Sequence, residues 1–285
     1  MNLFKKTIKY VNHRNQTFVL QGDGLSFVDA AALYSYSWSW AENQRPGGMG
    51  GTASQFARSP RTFALELRQR GFTDAQYKQQ MNTLHAVTEV DTLEEQPGRL
   101  YIGDEYMRCY LGVGGSVKEA PRLGNWAVRE LTVLTTEPWW CREVTTIVQA
   151  EEDTSDTTGK KYNLRYPYRY GGGSGTATVN NAHYAAAPAV ITVYGPANGP
   201  SFTLAGIIRA VDVNVLASER LVIDQIARTI RKIGSTGAVT DCFNLRDKRY
   251  DIFAPVPPGE NLLVSGGDYK ITVTLIQQRS EPTWS

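Results

Sequence analysis

The sequence predicts a mainly β protein of two domains, and three observations lead there. Twenty-six glycines and 15 tyrosines stand among many Thr and Val residues, a composition that favours short strands and frequent turns over long helices. Runs rich in Val, Ile and Thr recur between turn-forming residues, as in PAVITVYG, SFTLAGII and ENLLVSGGDYKITVTLIQQ. The 285 residues exceed the usual size of one core, so two domains of roughly 130–150 residues each are expected.

In the first half, QTFVLQG and RTFALELRQRG read as strands, separated by the aromatic run LYSYSWSW and the loop NQRPGGMGG. Residues 73–90 read as a helix. Thr73 and Gln76 have capping-box spacing, and Tyr77, Met81 and Leu84 recur at helical intervals. The helix ends before QPG, and RLYIGDEYMRCYL then reads as a hairpin turning at Gly103-Asp104. NWAVRELTVLTTEP alternates as a strand until Glu137-Pro138 breaks the pattern. The domain boundary is placed there, giving domains 1–137 and 138–285.

The second half offers REVTTIVQA, the polar segment Glu151–Gly175, and then the Val- and Ile-rich runs of a β-sandwich. The segment opens with three acids, closes with GGGSG and lacks alternating apolar residues, so a mobile, exposed excursion is expected. Residues 218–234, SERLVIDQIARTIRKIG, admit two readings. A helix would put Ile223, Ile226, Ile230 and Ile233 on one face with Arg220, Arg228, Arg231 and Lys232 around it, as in a nucleic-acid reader. Two strands, Leu221–Asp224 and Arg228–Ile233, are expected instead, because the β-branched residues and the flanking strands favour a sheet.

Thirty basic against 28 acidic residues give a net charge of +2, too even for a protein whose main work is neutralising phosphates. Cys109, Cys141 and Cys242 are widely separated and form no CxxC motif, which predicts buried free thiols made in a reducing compartment. The lysines near the start precede no apolar run, and no stretch of about 18 apolar residues occurs. Neither a signal peptide nor a membrane span is expected.

Catalytic constellations are weakly represented. GGMGG and GGGSG lack the Lys-Ser/Thr of a phosphate loop. His13, His85 and His183 are scattered and give no metal spacing. The acids Glu94/Glu95 and Glu151/Glu152/Asp153 could serve glycoside hydrolysis, but adjacent acids in polar turns are usually solvated surface. No GxSxG elbow occurs. Neither catalysis nor a cofactor or metal is expected.

Two aromatic groups point to binding. Tyr34, Tyr36, Trp38 and Trp40 recur at period two, which predicts one face of a strand, packed in a core or at a subunit interface; a sugar-stacking platform is the sharper reading. Tyr162, Tyr166, Tyr168 and Tyr170 stand among Lys160, Lys161, Arg165 and Arg169. Tyr166, Tyr168 and Arg169 are therefore the candidate anchors of a partner-binding loop.

Taken in order, these pieces resemble the distal tail protein (Dit) family of long-tailed bacteriophages. The resemblance rests on the FVL strand, RTFALELRQRG leading into the helix, PGRLYIGDEYMRCYL, APAVITVYG, RLVIDQIARTI and PPGENLLV. It implies an N-terminal β-sandwich or split-barrel-like domain with one helix, which forms a ring, and a C-terminal galectin-like β-sandwich. It further implies a homo-hexamer at the virion tail tip, assembled in the host cytoplasm. That hexamer would join the tail tube protein to the baseplate, fibre or receptor-binding protein, with DNA passing through its channel. Segment 151–175 is longer and more polar than the family's connection. His13-Arg14-Asn15 superficially matches a galectin sugar signature but falls in the wrong domain. A receptor- or glycan-binding module of the tail tip is the alternative reading, and a cell-wall hydrolase is a third.

Overall fold

The computed structural model describes residues 6–22, 24–29, 31–44, 46–70, 73–119, 126–148 and 175–284. Tyr166, Tyr168 and Arg169, and the excursion expected around them, lie outside the described residues. The chain divides into two compact units, Met1–Arg142 with Gln278–Ser285, and Glu143–Gln277. Both are built mainly of antiparallel strands.

In chain order the first unit contains β1 (Ile8–Val11), β2 (Thr17–Val19), β3 (Leu25–Asp29), α1 (Ala31–Tyr34), β4 (Ser39–Gln44), β5 (Gly51–Ala57) and β6 (Arg61–Arg70). Then come α2 (Asp74–Leu93), β7 (Gly98–Ile102), β8 (Glu105–Glu119), β9 (Trp126–Thr135) and the start of β10 (Trp140–Val148). Strands β2, β1, β7, β8 and β10 pair in that order, and β3, β6, β9 and β8 pair as a second set. Strand β8 belongs to both sets. Its first part pairs with β7 and β10, and beyond a register break between Leu111 and Gly115 it continues with β9. Gly112 lies at that break with φ +81, a conformation that residues with a Cβ rarely adopt.

Sequence alternation sets which side faces the core. Ile8 and Tyr10 of β1, Leu65 and Leu67 of β6, and Leu100 and Ile102 of β7 are buried at every second position. Helix α2 contributes Met81, Leu84 and Val87 to the same core. It begins as its sequence directs: the Thr73 hydroxyl accepts from the Gln76 amide, and the Gln76 carboxamide accepts from the Thr73 amide. The two-residue turn at Gly103-Asp104 joins Ile102 to its partner Glu105.

The second unit begins within β10 and continues with β11 (Thr176–Asn181), β12 (Ala189–Tyr194), β13 (Ala197–Asn198), β14 (Ser201–Leu204), β15 (Ile207–Ala210) and β16 (Asn214–Val215). It ends with β17 (Arg220–Asp224), β18 (Thr229–Ile233), β19 (Val239–Asp241), β20 (Gly259–Ser265) and most of β21 (Ile271–Arg279). One sheet runs β19-β18-β17-β12-β21 and another β11-β20-β14-β15. Ile191, Val193, Leu221, Ile223, Val273 and Leu275 from the first share one core with Val179, Phe202, Leu204 and Leu263 from the second. The unit is a β-sandwich.

The ambiguous stretch 218–234 forms two strands. Ile223 pairs with Ile230 and Asp224 with Thr229. Asp224 turns the chain by accepting the amides of Ile226 and Ala227, each at 2.9 Å, and Arg228 closes the turn at φ +53. Leu221, Ile223 and Ile230 are fully buried, while Arg220 and Arg231 are exposed. The basic residues therefore flank a hairpin and do not line a helix.

Arg209 is fully buried in this sandwich. Its guanidinium donates to the carbonyls of Leu204 (2.7 Å), Ile207 (3.1 Å), Ala254 (2.9 Å) and Ile252 (3.3 Å). Burial pushes its pKa down to about 10, against the pull of Asp251. Cys109, Cys141 and Cys242 are buried and form no disulfide among the described residues.

Candidate assembly surface

The aromatic run does not form the strand face that its period predicts. Tyr34 ends the short helix α1, residues 35–38 have no regular structure, and only Trp40 lies in a strand, β4. The rings accordingly divide. Tyr34 turns into the first unit, half-buried, with its ring 4.5 Å from Trp284. Burial pushes its phenol upwards, with Glu105 and Glu281 adding to the effect.

Tyr36 and Trp38 form a second group around Arg58. The Arg58 guanidinium carbon lies 5.7 Å from each of their ring centroids and 4.7 Å from that of Trp139. Trp38 meets Trp139 edge-on at 5.6 Å. The faces of a guanidinium are well matched to aromatic π clouds, but its in-plane N–H groups need acceptors. Nε and Nη1 of Arg58 are buried without one. Burial pulls the Arg58 pKa down, and neighbouring Arg61 pulls it further. Arg61 is provided for: it donates to the carbonyls of Ala32 at 2.7 Å and of Ser35, and lies over Phe63.

Trp40 belongs to a third feature, the hairpin of β4 and β5. These strands pair with each other and with no other described strand. Nearly every residue is exposed, including Trp40 at 52%, Phe56 at 60% and, at the tip, Met49. Gly47 and Gly50 turn the tip at φ +71 and +88. A two-stranded ribbon that buries so little is marginal alone, and its large side chains Trp40, Met49 and Phe56 face solvent. Sequence reading missed this arm, along with Arg58, Trp139, Phe56 and Met49. Trp139 is remote in sequence from the run it joins, and the arm's polar strands carry no apolar alternation.

The group closest to acid–base chemistry is a latch. Asp91, fully buried, accepts from the Tyr10 hydroxyl at 2.5 Å and from the His13 amide at 3.0 Å, and its carboxylate meets His13 Nδ1 at 2.5 Å. His13 Nε2 is engaged by Glu94 at 2.6 Å, and Arg14 covers Glu94. His13-Arg14-Asn15 thus fastens the β1–β2 turn to the end of α2, with Asn15 at φ +63. Among the described residues no three His, Cys, Asp or Glu side chains could hold a metal ion, and no helix is long and apolar enough to cross a membrane.

In the second unit an open hollow of about 480 Å³ is lined by Asp212, Asn244, Arg246 and Asp247, among others. Arg246 is stacked on Phe243 at 3.8 Å, and Asp247 is held by Arg249. Among the described residues no aromatic ring lines this hollow.

The two β units, in this order along one chain, form a fold that is also found in solved structures of phage tail proteins. The Dit protein (gp 19.1) of phage SPP1, described as a paradigm of the hub adsorption apparatus in phages infecting Gram-positive bacteria, has this fold. It superposes with a TM-score of 0.57 at 12% identity, over 96% of this chain and 99% of its own. The phage P2 baseplate in its activated conformation contains a chain that matches equally well. With Ca the TM-score is 0.57 at 10% identity, and with Sr it is 0.57 at 12%, each over 97% of this chain and 99% of the other. No family model and no curated protein matches the chain. The likeness is one of fold.

Proposed function

We propose that this chain is a structural tail protein of a bacteriophage, a distal tail hub of the Dit kind. The observation that carries this reading is the fold shared with the SPP1 and P2 hub chains over nearly the full length of both partners. In this reading the chain resides at the tip of the virion tail. Six copies close into a ring through the first unit, leaving a channel for DNA, and the second unit, galectin-like, projects outward. The ring contacts the tail tube protein on one side and the baseplate or receptor-binding apparatus on the other.

The exposed β4–β5 arm and the Tyr36–Trp38 cluster support the assignment of the ring contact to the first unit. Head-to-tail contacts of this type close into rings when the rotation between copies allows. The near-even charge lets six copies approach without large mutual repulsion. Neighbouring tail proteins add contacts, so the ring is more stable in the particle than in isolation. The reading calls for no catalysis, cofactor or metal.

Electron microscopy of assembled particles with the chain labelled tests it. Six-fold density at the tail tip with the first unit innermost is expected. A single copy per tail, or a ring built from the second unit, would sink the reading. The alternative, a glycan-binding module, draws on the polar hollow around Asn244 and Arg246, and a glycan array is its test.

A further inference from the structure

Strands β1, β7 and β8 bury Tyr10, Leu100 and Met107 on one face and leave Lys9, Arg99 and Arg108 part-exposed on the other. Arg99 and Arg108 stand directly opposite each other in the β7–β8 ladder, and Lys9 stands opposite Tyr101 in the next row. Like charges facing each other across a ladder are destabilising. Arg99 is held by rings: its guanidinium carbon lies 4.7 Å from the Tyr106 centroid, and its Nη1 donates to the Tyr101 hydroxyl at 3.5 Å. Arg108 meets the exposed carboxylate of Glu137 at 3.7 Å, beyond hydrogen-bond reach.

Both arginines line an open cavity of about 240 Å³, together with Val11, Asn15, Pro97 and Tyr101 among others. Among the described residues no Asp or Glu lines it. His13 forms part of the wall, and the two acids that engage its ring, Asp91 and Glu94, are also met by Tyr10 and Arg14. Two facing guanidinium groups in a concave, partly desolvated site without a lining carboxylate focus positive potential there. An anion that reaches both offsets their repulsion, and the part-exposed side chains leave the way in open.

We propose that this cavity binds a phosphate group, with Arg99 and Arg108 each donating to its oxygens. A guanidinium presents its donors as a planar fork that suits oxyanions. A carboxylate has two oxygens in one plane and a single charge, enough for one such fork. A tetrahedral phosphate carries up to two charges and further oxygens pointing elsewhere, so it can serve arginines that arrive from two strands. Val11 and Pro97 add apolar wall beside them, which leaves room for a small organic group on a phosphate monoester. The site does not depend on the ring reading above.

Titration calorimetry of the full chain at neutral pH and fixed ionic strength tests this with inorganic phosphate, glycerol 3-phosphate and acetate. A Kd on the order of 1 mM or tighter is expected for phosphate, and acetate is expected to bind at least about tenfold more weakly. A monoester that binds more tightly than inorganic phosphate identifies the ligand as an ester, and equal binding identifies it as the free anion. Arg108→Gln and Arg99→Gln are each expected to raise Kd by about tenfold or more. Thermal unfolding supplies a second readout. In phosphate-free buffer Arg108→Gln is expected to unfold no earlier than the starting protein, because it removes one of two facing cations. Added phosphate is then expected to raise the Tm of the starting protein but not of the variant. The proposal is overturned if neither phosphate compound binds, if acetate binds as tightly, or if Arg108→Gln binds phosphate as the starting protein does.

Discussion

Asp91 illustrates how single residues hold the first unit. A fully buried carboxylate survives there because Tyr10 and the His13 amide donate to it and the His13 ring lies against it. Gly98 makes room, since any side chain at that position would collide with Tyr10 and Asp91. Burial pushes the Tyr10 phenol up, Cys109 and Asp91 push it further, and so it stays a donor. Tyr10→Phe, which removes the hydroxyl that faces Asp91 and the Cys109 carbonyl, is expected to cost about 1–3 kcal/mol of stability in urea denaturation. Arg209→Met strips four carbonyls of their donor at once, and a loss of about 3 kcal/mol is expected from the second unit by the same measurement. None of these partnerships was legible in sequence. Tyr10 and Asp91 lie 81 residues apart, and Arg58 gathers rings from positions 36, 38 and 139. Residue spacing reports neighbours within an element, whereas these contacts depend on how elements stack.

Elements were more legible wherever they bury a face. The Thr73–Gln76 spacing marks the start of α2, and Gly103-Asp104 marks the β7–β8 turn, because both signals are local. The β-branched Val222, Ile223, Thr229 and Ile230 place β17 and β18 in a sheet although their spacing also fits a helix. The β4–β5 arm escaped notice for the converse reason. Periodicity records burial, and strands that bury nothing on their own unit leave no periodic trace. Thr73→Ala, which removes one half of the capping box, is expected to destabilise the first unit by about 1 kcal/mol, read by chemical denaturation. A pH effect is expected at the turn before β17. The amide of Leu216 donates to Glu219 at 3.0 Å, and this bond, followed by Lys232, lowers the Glu219 pKa. Because the folded carboxyl titrates below its unfolded counterpart, the contribution is present above the ordinary glutamate range and is lost as pH falls through the lowered value. Corrected for the intrinsic effect of pH on exchange, hydrogen-exchange protection of the Leu216 amide is therefore expected to fall in that acidic window. Unchanged protection would argue against the turn being held by Glu219.

For the whole molecule, length and composition gave the right class, a mainly β chain, but not the path of its last residues. Gln278–Ser285 belong to the first unit. There Glu105, buried, accepts from the Thr283 amide at 2.7 Å and from the Thr283 hydroxyl, Lys6 donates to the Thr283 carbonyl at 2.7 Å, and Trp284 meets Tyr34. Truncation after Glu281 would leave the Glu105 carboxylate buried without these donors. It is expected to cost the first unit about 1–3 kcal/mol, read as faster hydrogen exchange in β7 and β8, with β12 and β17 unchanged. Sequence reading could not show this return, because the change of unit between Gln277 and Gln278 falls inside one strand, β21.

The same return fixes an order of events during synthesis. The second unit lies within the first along the chain, so every residue of the sandwich has left the ribosome before Gln278–Ser285 emerge. Domains fold as units while the chain is being made. The part of the molecule begun first is therefore the part finished last, and its surface is complete only when translation has passed both cores. A nascent chain that has not yet exposed Thr283 and Trp284 lacks the contacts they make with Glu105, Lys6 and Tyr34.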